Sequence, residues 1–134
     1  MTTIGLVVAQ FNHAVITEMQ AAAEAAAAER DVTIAETLEV PGVYDSPLAA
    51  DRLARREGID AVVVIGAIVT GDTEHDRVIA DAAAGALTDV SLERDTPVTF
   101  GVSGPGMSGA EARERTEKGA EAVNAAVDIL EALT

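Results

Sequence analysis

Residues Ala61–Val69 read Ala-Val-Val-Val-Ile-Gly-Ala-Ile-Val, an apolar run rich in β-branched side chains. A strand with no polar face is buried on both faces, and sheets of that kind are parallel and covered by helices. Ile4–Ala9 carries the same signature. Parallel neighbours need long crossover connections, usually helical, so these two runs already commit the chain to an α/β arrangement. Directly after the second run come Gly71-Asp72-Thr73-Glu74-His75-Asp76: a glycine, helix-capping residues, then a histidine one turn in. Ligands of open parallel sheets sit beyond the carboxyl ends of the strands. Backbone N–H groups at the first turn of the next helix attract anions, and a histidine there can move protons near pH 7. Taken alone, Asp72 or Thr73 is an ordinary N-cap and His75 an ordinary solvated residue; the rest of the chain decides.

The pattern alternates strand and helix four times. Ile4–Ala9 is strand one, and Asn12 is placed to cap a helix running to about Arg30, rich in the helix former alanine. Val32–Val40 is a second, less apolar strand, which fits the sheet edge, and Pro41-Gly42 ends it. Ser46 is expected to cap a helix with Pro47 at its first position, running to about Glu57 with Gly58 as the stop. Strand three is Ala61–Ala67, and its helix spans about Thr73–Leu87. Strand four is Pro97–Val102, followed by a Ser103-Gly104-Pro105-Gly106 loop and a last amphipathic helix from about Ser108 to Leu133. The expected architecture is one domain over residues 1–134, with four parallel strands and crossover helices on both faces.

Composition narrows the function. At 134 residues the chain is long enough for a proper core. No apolar run reaches the roughly 18 residues that span a bilayer, and no signal segment opens the chain. It has no cysteine, which excludes disulfides, thiolate metal sites and a thiol nucleophile; the cytoplasm is the expected compartment. The formal net charge of −14 argues against nucleic acid or an anionic membrane as partner. Acids are scattered through every expected helix, and Lys118 is the only lysine. Alanine-rich, acid-rich, lysine-poor chains fit a salty cytoplasm, where the Debye length falls to about 3 Å at 1 M salt and acidic self-repulsion is screened.

The unusual residues fall at one edge of the expected sheet. Gln10-Phe11-Asn12 follows strand one, Pro41-Gly42-Val43-Tyr44-Asp45 strand two, Ala67 to His75 strand three, and Phe100 to Gly106 strand four. Convergence of that kind marks a binding site. Phe11 offers a flat face to an aromatic ring, or else packs the first helix from the core. Tyr44 and Asp45, with the backbone at Val43, can hold a polyhydroxylated chain, or else form a turn and a cap. The amides of Asp72 and Thr73 suit an anion, helped by an arginine such as Arg115, which could equally be a solvated helix residue. A small four-stranded sheet cannot wall off a pocket alone, so a second subunit is expected to close it.

Five segments together resemble the lumazine synthases: Phe11-Asn12, Val40 to Pro47, Asp60 to His75, Pro97 to Gly101, and Arg115 to Gly119. The similarity covers essentially the full length, and the archaeal, halophilic type is the nearest look. It implies a flavodoxin-like three-layer α/β/α sandwich. The implied activity condenses 5-amino-6-(D-ribitylamino)uracil with 3,4-dihydroxy-2-butanone 4-phosphate in riboflavin biosynthesis, with no metal or other cofactor. By resemblance, Phe11 stacks on the pyrimidine, Val43, Tyr44 and Asp45 hold the ribityl chain, and Ala67, Ile68 and Val69 line the ring pocket. Asp72, Thr73, Arg115 and Lys118 hold the phosphate, and His75 donates and accepts protons. Phe100 reaches into a neighbouring subunit's site, and the chain self-associates into at least a pentamer. Gln10 stands where many members carry Arg, Asp45 is shorter than the usual Glu, and Asp76 replaces an aromatic.

Two other readings compete. Archaeal riboflavin synthase is a relative, but Phe11-Asn12 and Thr73/His75 are lumazine synthase features. A phosphoacceptor signalling module would need clustered acids after strand one, where this chain has Gln10-Phe11-Asn12.

Overall fold

Alternate side chains of the first strand feed two separate cores, which is what a strand buried on both faces must do. The computed structural model describes residues 1–71 and 75–134. Its elements run β1 (Thr3–Ala9), α1 (His13–Glu29), β2 (Thr33–Val40), a 3-10 turn (Val43–Asp45), α2 (Ser46–Ala54), β3 (Ala61–Val69), α3 (His75–Arg94), β4 (Val98–Met107), α4 (Gly109–Arg113) and α5 (Lys118–Leu133). The sheet is parallel in the order β2-β1-β3-β4. Leu6, Val8, Val63 and Ile65 face α1 and α5. Val7, Val62 and Val64 face α2 and α3. This is the expected flavodoxin-like three-layer sandwich. The edge position of β2 explains its half-polar sequence, with burial alternating residue by residue.

Element ends depart from the sequence expectation for local reasons. β3 continues past Ala67 to Val69, because Val69 still pairs with Met107 of β4. β4 in turn absorbs the expected Ser103–Gly106 loop, and the ladder shifts register opposite it, between Ala67 and Val69. The start expected for the third helix, Thr73, lies outside the described residues. α3 runs past Leu87 to Arg94, since Val90 extends the buried stripe of Ala80, Ala83 and Leu87. α2 stops at Ala54, one residue after its last buried side chain, Leu53, and short of Glu57.

Two expected caps work differently. Ser46 does not cap α2; Asp45 occupies that position, and the Ser46 hydroxyl donates to the Val43 carbonyl at 2.7 Å. Asn12 sits at the N-cap of α1 with φ 69, but its side chain makes no cap bond. Its amide donates instead to the Ala67 carbonyl at 3.0 Å, tying the end of β1 to the end of β3. The last helix is divided: a Ser108–Glu111 capping box opens α4. Glu114, Arg115 and Lys118 then bond carbonyls three residues back, which breaks the α-helical ladder before α5.

Candidate active site

In the order β2-β1-β3-β4, successive connections leave β1 in opposite directions, which opens a crevice between β1 and β3 at their carboxyl ends. A cavity of about 170 Å³ occupies this position. Its lining gathers Phe11 and Asn12 after β1, Val43, Tyr44 and Asp45 after β2, and Ala67, Ile68 and Val69 at the end of β3. The structure therefore brings together every ring- and chain-binding candidate read from the sequence except Phe100. Phe100 lies in mid-strand opposite Val64, half-buried against the cluster shared with α2 and α3.

Local chemistry explains the shape. Phe11 is 67% exposed, which rules out the core alternative and leaves its ring as a wall. The ring lies over Gly42, where an added Cβ would come within 2.7 Å of Phe11 Cε2; only a residue without a side chain allows this approach. The backbone bonds of Gln10 and Phe11 to the Pro41 carbonyl hold the two loops together. Asp45 forms the turn that the sequence offered as one of its two readings. Its Oδ2 accepts the Gly42 N–H at 3.0 Å, and the side chain still lines the cavity. Tyr44, 63% exposed, lines the cavity from the turn after β2.

His75 opens α3 and is exposed. His75 is not among the residues that line the cavity, whereas Ile79, one turn later and on the same helix face, is. Ile79 escaped the sequence reading, and its spacing from His75 is the signal that would have found it. Asp72 and Thr73 lie outside the described residues. Arg115 and Lys118 are not among the cavity's lining residues; with Glu114, Glu117 and Glu121 they line a different cleft, where Lys118 approaches Glu121 at 3.9 Å. Arg113, two residues before Arg115, does line a cleft next to the cavity, together with Asn12, His13 and Val69. Among the described residues no cluster of three or more histidine, aspartate or glutamate side chains is arranged to hold a metal.

Fold and cavity define a class: a flavodoxin-like protein with a cavity at the carboxyl edge of its sheet, walled on one side by the Phe11 ring and on another by Ile79 of α3. The chain belongs to the 6,7-dimethyl-8-ribityllumazine synthase family, whose model matches residues 1–134. It is 71% identical to the 6,7-dimethyl-8-ribityllumazine synthase of Halobacterium salinarum, over 99% of this chain and 100% of that one. Identity to the Halorubrum lacusprofundi protein of the same name is 65%, over 99% of each. The Methanocaldococcus jannaschii protein, also so named, is 41% identical over 99% of this chain and 94% of its own. Salt-loving relatives at such identity agree with the acidic composition.

Proposed function

We propose that this chain is a lumazine synthase, a transferase of riboflavin biosynthesis that condenses 5-amino-6-(D-ribitylamino)uracil with 3,4-dihydroxy-2-butanone 4-phosphate. The observation that supports this is the cavity, whose lining includes the residues that the family resemblance gives to the pyrimidine and the ribityl chain, Phe100 apart. Phe11 stacks on the pyrimidine, the Val43–Asp45 turn holds the ribityl chain, and Ala67, Ile68 and Val69 form the floor. The amine of the pyrimidine adds to the ketone and water leaves. Phosphate is then eliminated, and attack of the second amino group closes the ring with loss of another water. His75 moves protons through these steps, a contribution of about 10²–10⁴-fold. Holding both reactants in one site supplies much of the rest.

The phosphate is held by Asp72, Thr73 and Arg115, with Lys118 as a second cation. A cavity of about 170 Å³ falls short of the roughly 300–1,000 Å³ usual for small-molecule sites. We infer that a second copy completes it, with Phe100 of the edge strand β4 entering the neighbour's site. Exposed Tyr44, Leu48 and Val78 supply apolar surface for that association. The expected assembly is a pentamer or a multiple of it, in the cytoplasm. No helix among the described residues is long and apolar enough to cross a membrane.

Purified protein in molar salt, given both substrates and no added metal, will form the lumazine, read by its absorbance. Folded protein that makes none, or turnover abolished by chelator, contradicts the assignment.

A further inference from the structure

We propose that Asp76 is a positioning residue, whose buried carboxylate pins the first turn of α3 to the far end of β4 and so fixes the position of the adjacent His75; this rests on the catalytic role proposed for His75 above. Asp76 is 8% exposed, whereas every other acid among the described residues lies at the surface or half-buried. Its Oδ2 accepts the backbone N–H of Gly106 at 3.0 Å, across 30 residues of sequence. Burying a carboxylate costs free energy unless it is hydrogen-bonded, and an apolar side chain would avoid that cost. The tie therefore calls for a use.

Its neighbours indicate the use. The stretch of β4 that receives Asp76 also grips the end of β3. The Thr70 N–H donates to the Met107 carbonyl at 2.8 Å. Gly104, at φ +92, lies so close to the Ile68 carbonyl that any Cβ there would collide with it. Ile68 is a wall of the cavity. One stretch of β4 thus holds the chain just before residue 71 and just after residue 75. With the second hold removed, the first turn of α3 loses its tie to β4, and helix ends open at little cost. His75 would then lose its fixed distance to the reacting atoms, and displacement by about 1 Å costs as much as 10²-fold in rate.

A carboxylate at a helix N-terminus is also favoured by the helix dipole, so the test must separate acceptor from charge. Asp76→Asn keeps an acceptor oxygen and loses the charge, whereas Asp76→Ala loses both. In the assembled full-length protein in molar salt, Asp76→Ala should speed amide exchange at residues 75–79 by about tenfold or more and leave residues 83–94 as in the parent. Its kcat should fall by about ten- to a hundredfold, with KM for the pyrimidine substrate within about twofold. Asp76→Asn should restore both properties to within about threefold of the parent. Unchanged exchange in the first turn of the Ala variant overturns the proposal, as does an unchanged kcat. An Asn variant as impaired as the Ala variant assigns the effect to charge and overturns it too. Should Asp76→Ala fail to assemble, Asp76→Ser, whose hydroxyl is too short for the tie, carries the same expectations. If the parent itself makes no lumazine, the functional assignment fails on its own, while the exchange measurement still decides whether the tie exists.

Discussion

Arg115→Ala and Arg77→Ala separate a cation that holds phosphate from one that is merely solvated. If Arg115 anchors the butanone phosphate, its loss removes a charge-assisted hydrogen bond of about 1.5–3 kcal/mol, roughly ten- to a hundredfold in affinity. Molar salt shrinks that figure. KM for the phosphate-bearing substrate should rise, and inorganic phosphate should inhibit the variant less well. Arg77→Ala should do neither; equal effects from the two would mean that another cation is at the phosphate. Single residues were legible where their type is rare. Phe11, one of two phenylalanines in 134 residues, had to be either core or platform, and its exposure excludes the core. Asn12 was placed correctly and read incompletely. An asparagine before a helix signals a cap, and nothing in the sequence shows that its amide reaches Ala67, 55 residues away.

Elements were legible in kind and less so in extent. The central strands β1 and β3 announced themselves because burial on both faces leaves them almost wholly apolar, and the edge strand β2 because one face kept its polar residues. Helix ends depend on what each turn packs against, so α3 outran its expected end once Val90 found the core, while α2 fell short. The pairing between helices was invisible for the same reason. Asp51 of α2 meets Arg94 of α3 at 2.8 Å and also pairs with Arg55. The hydrogen bond from Arg94, with the charge of Arg55 beside it, holds the Asp51 carboxyl below its ordinary 3.8. A depressed carboxylate stabilises the fold above its unfolded pKa and loses that contribution as pH falls through the folded value. At fixed salt, the parent should melt above Asp51→Asn at neutral pH, and the gap should close on acidification below about pH 3.8. A gap that persists there would mean that Asp51 acts by packing.

At the scale of the whole molecule, charge dominates. Each chain carries −14, and association brings several such charges within a Debye length at low ionic strength. Dialysis to low salt should dissociate or unfold the assembly, followed by light scattering and melting temperature; an assembly equally large and heat-stable there refutes the salt-adapted interpretation. The part of the site least legible in sequence belongs to this scale as well. Phe100, Arg115 and Lys118 stand outside the cavity of their own chain, and composition and spacing alone single out none of the three as a site residue.

The central claim is that the cavity between β1 and β3 is where the lumazine forms, and steady-state kinetics of Phe11→Ala and His75→Ala in molar salt test it most directly. The stacking and proton-moving roles predict opposite signatures. Phe11→Ala should raise KM for the pyrimidine with a smaller change in kcat. His75→Ala should lower kcat by about 10²–10⁴-fold and leave pyrimidine binding nearly intact. Two well-folded variants that both turn over like the parent would place the reaction somewhere other than this cavity.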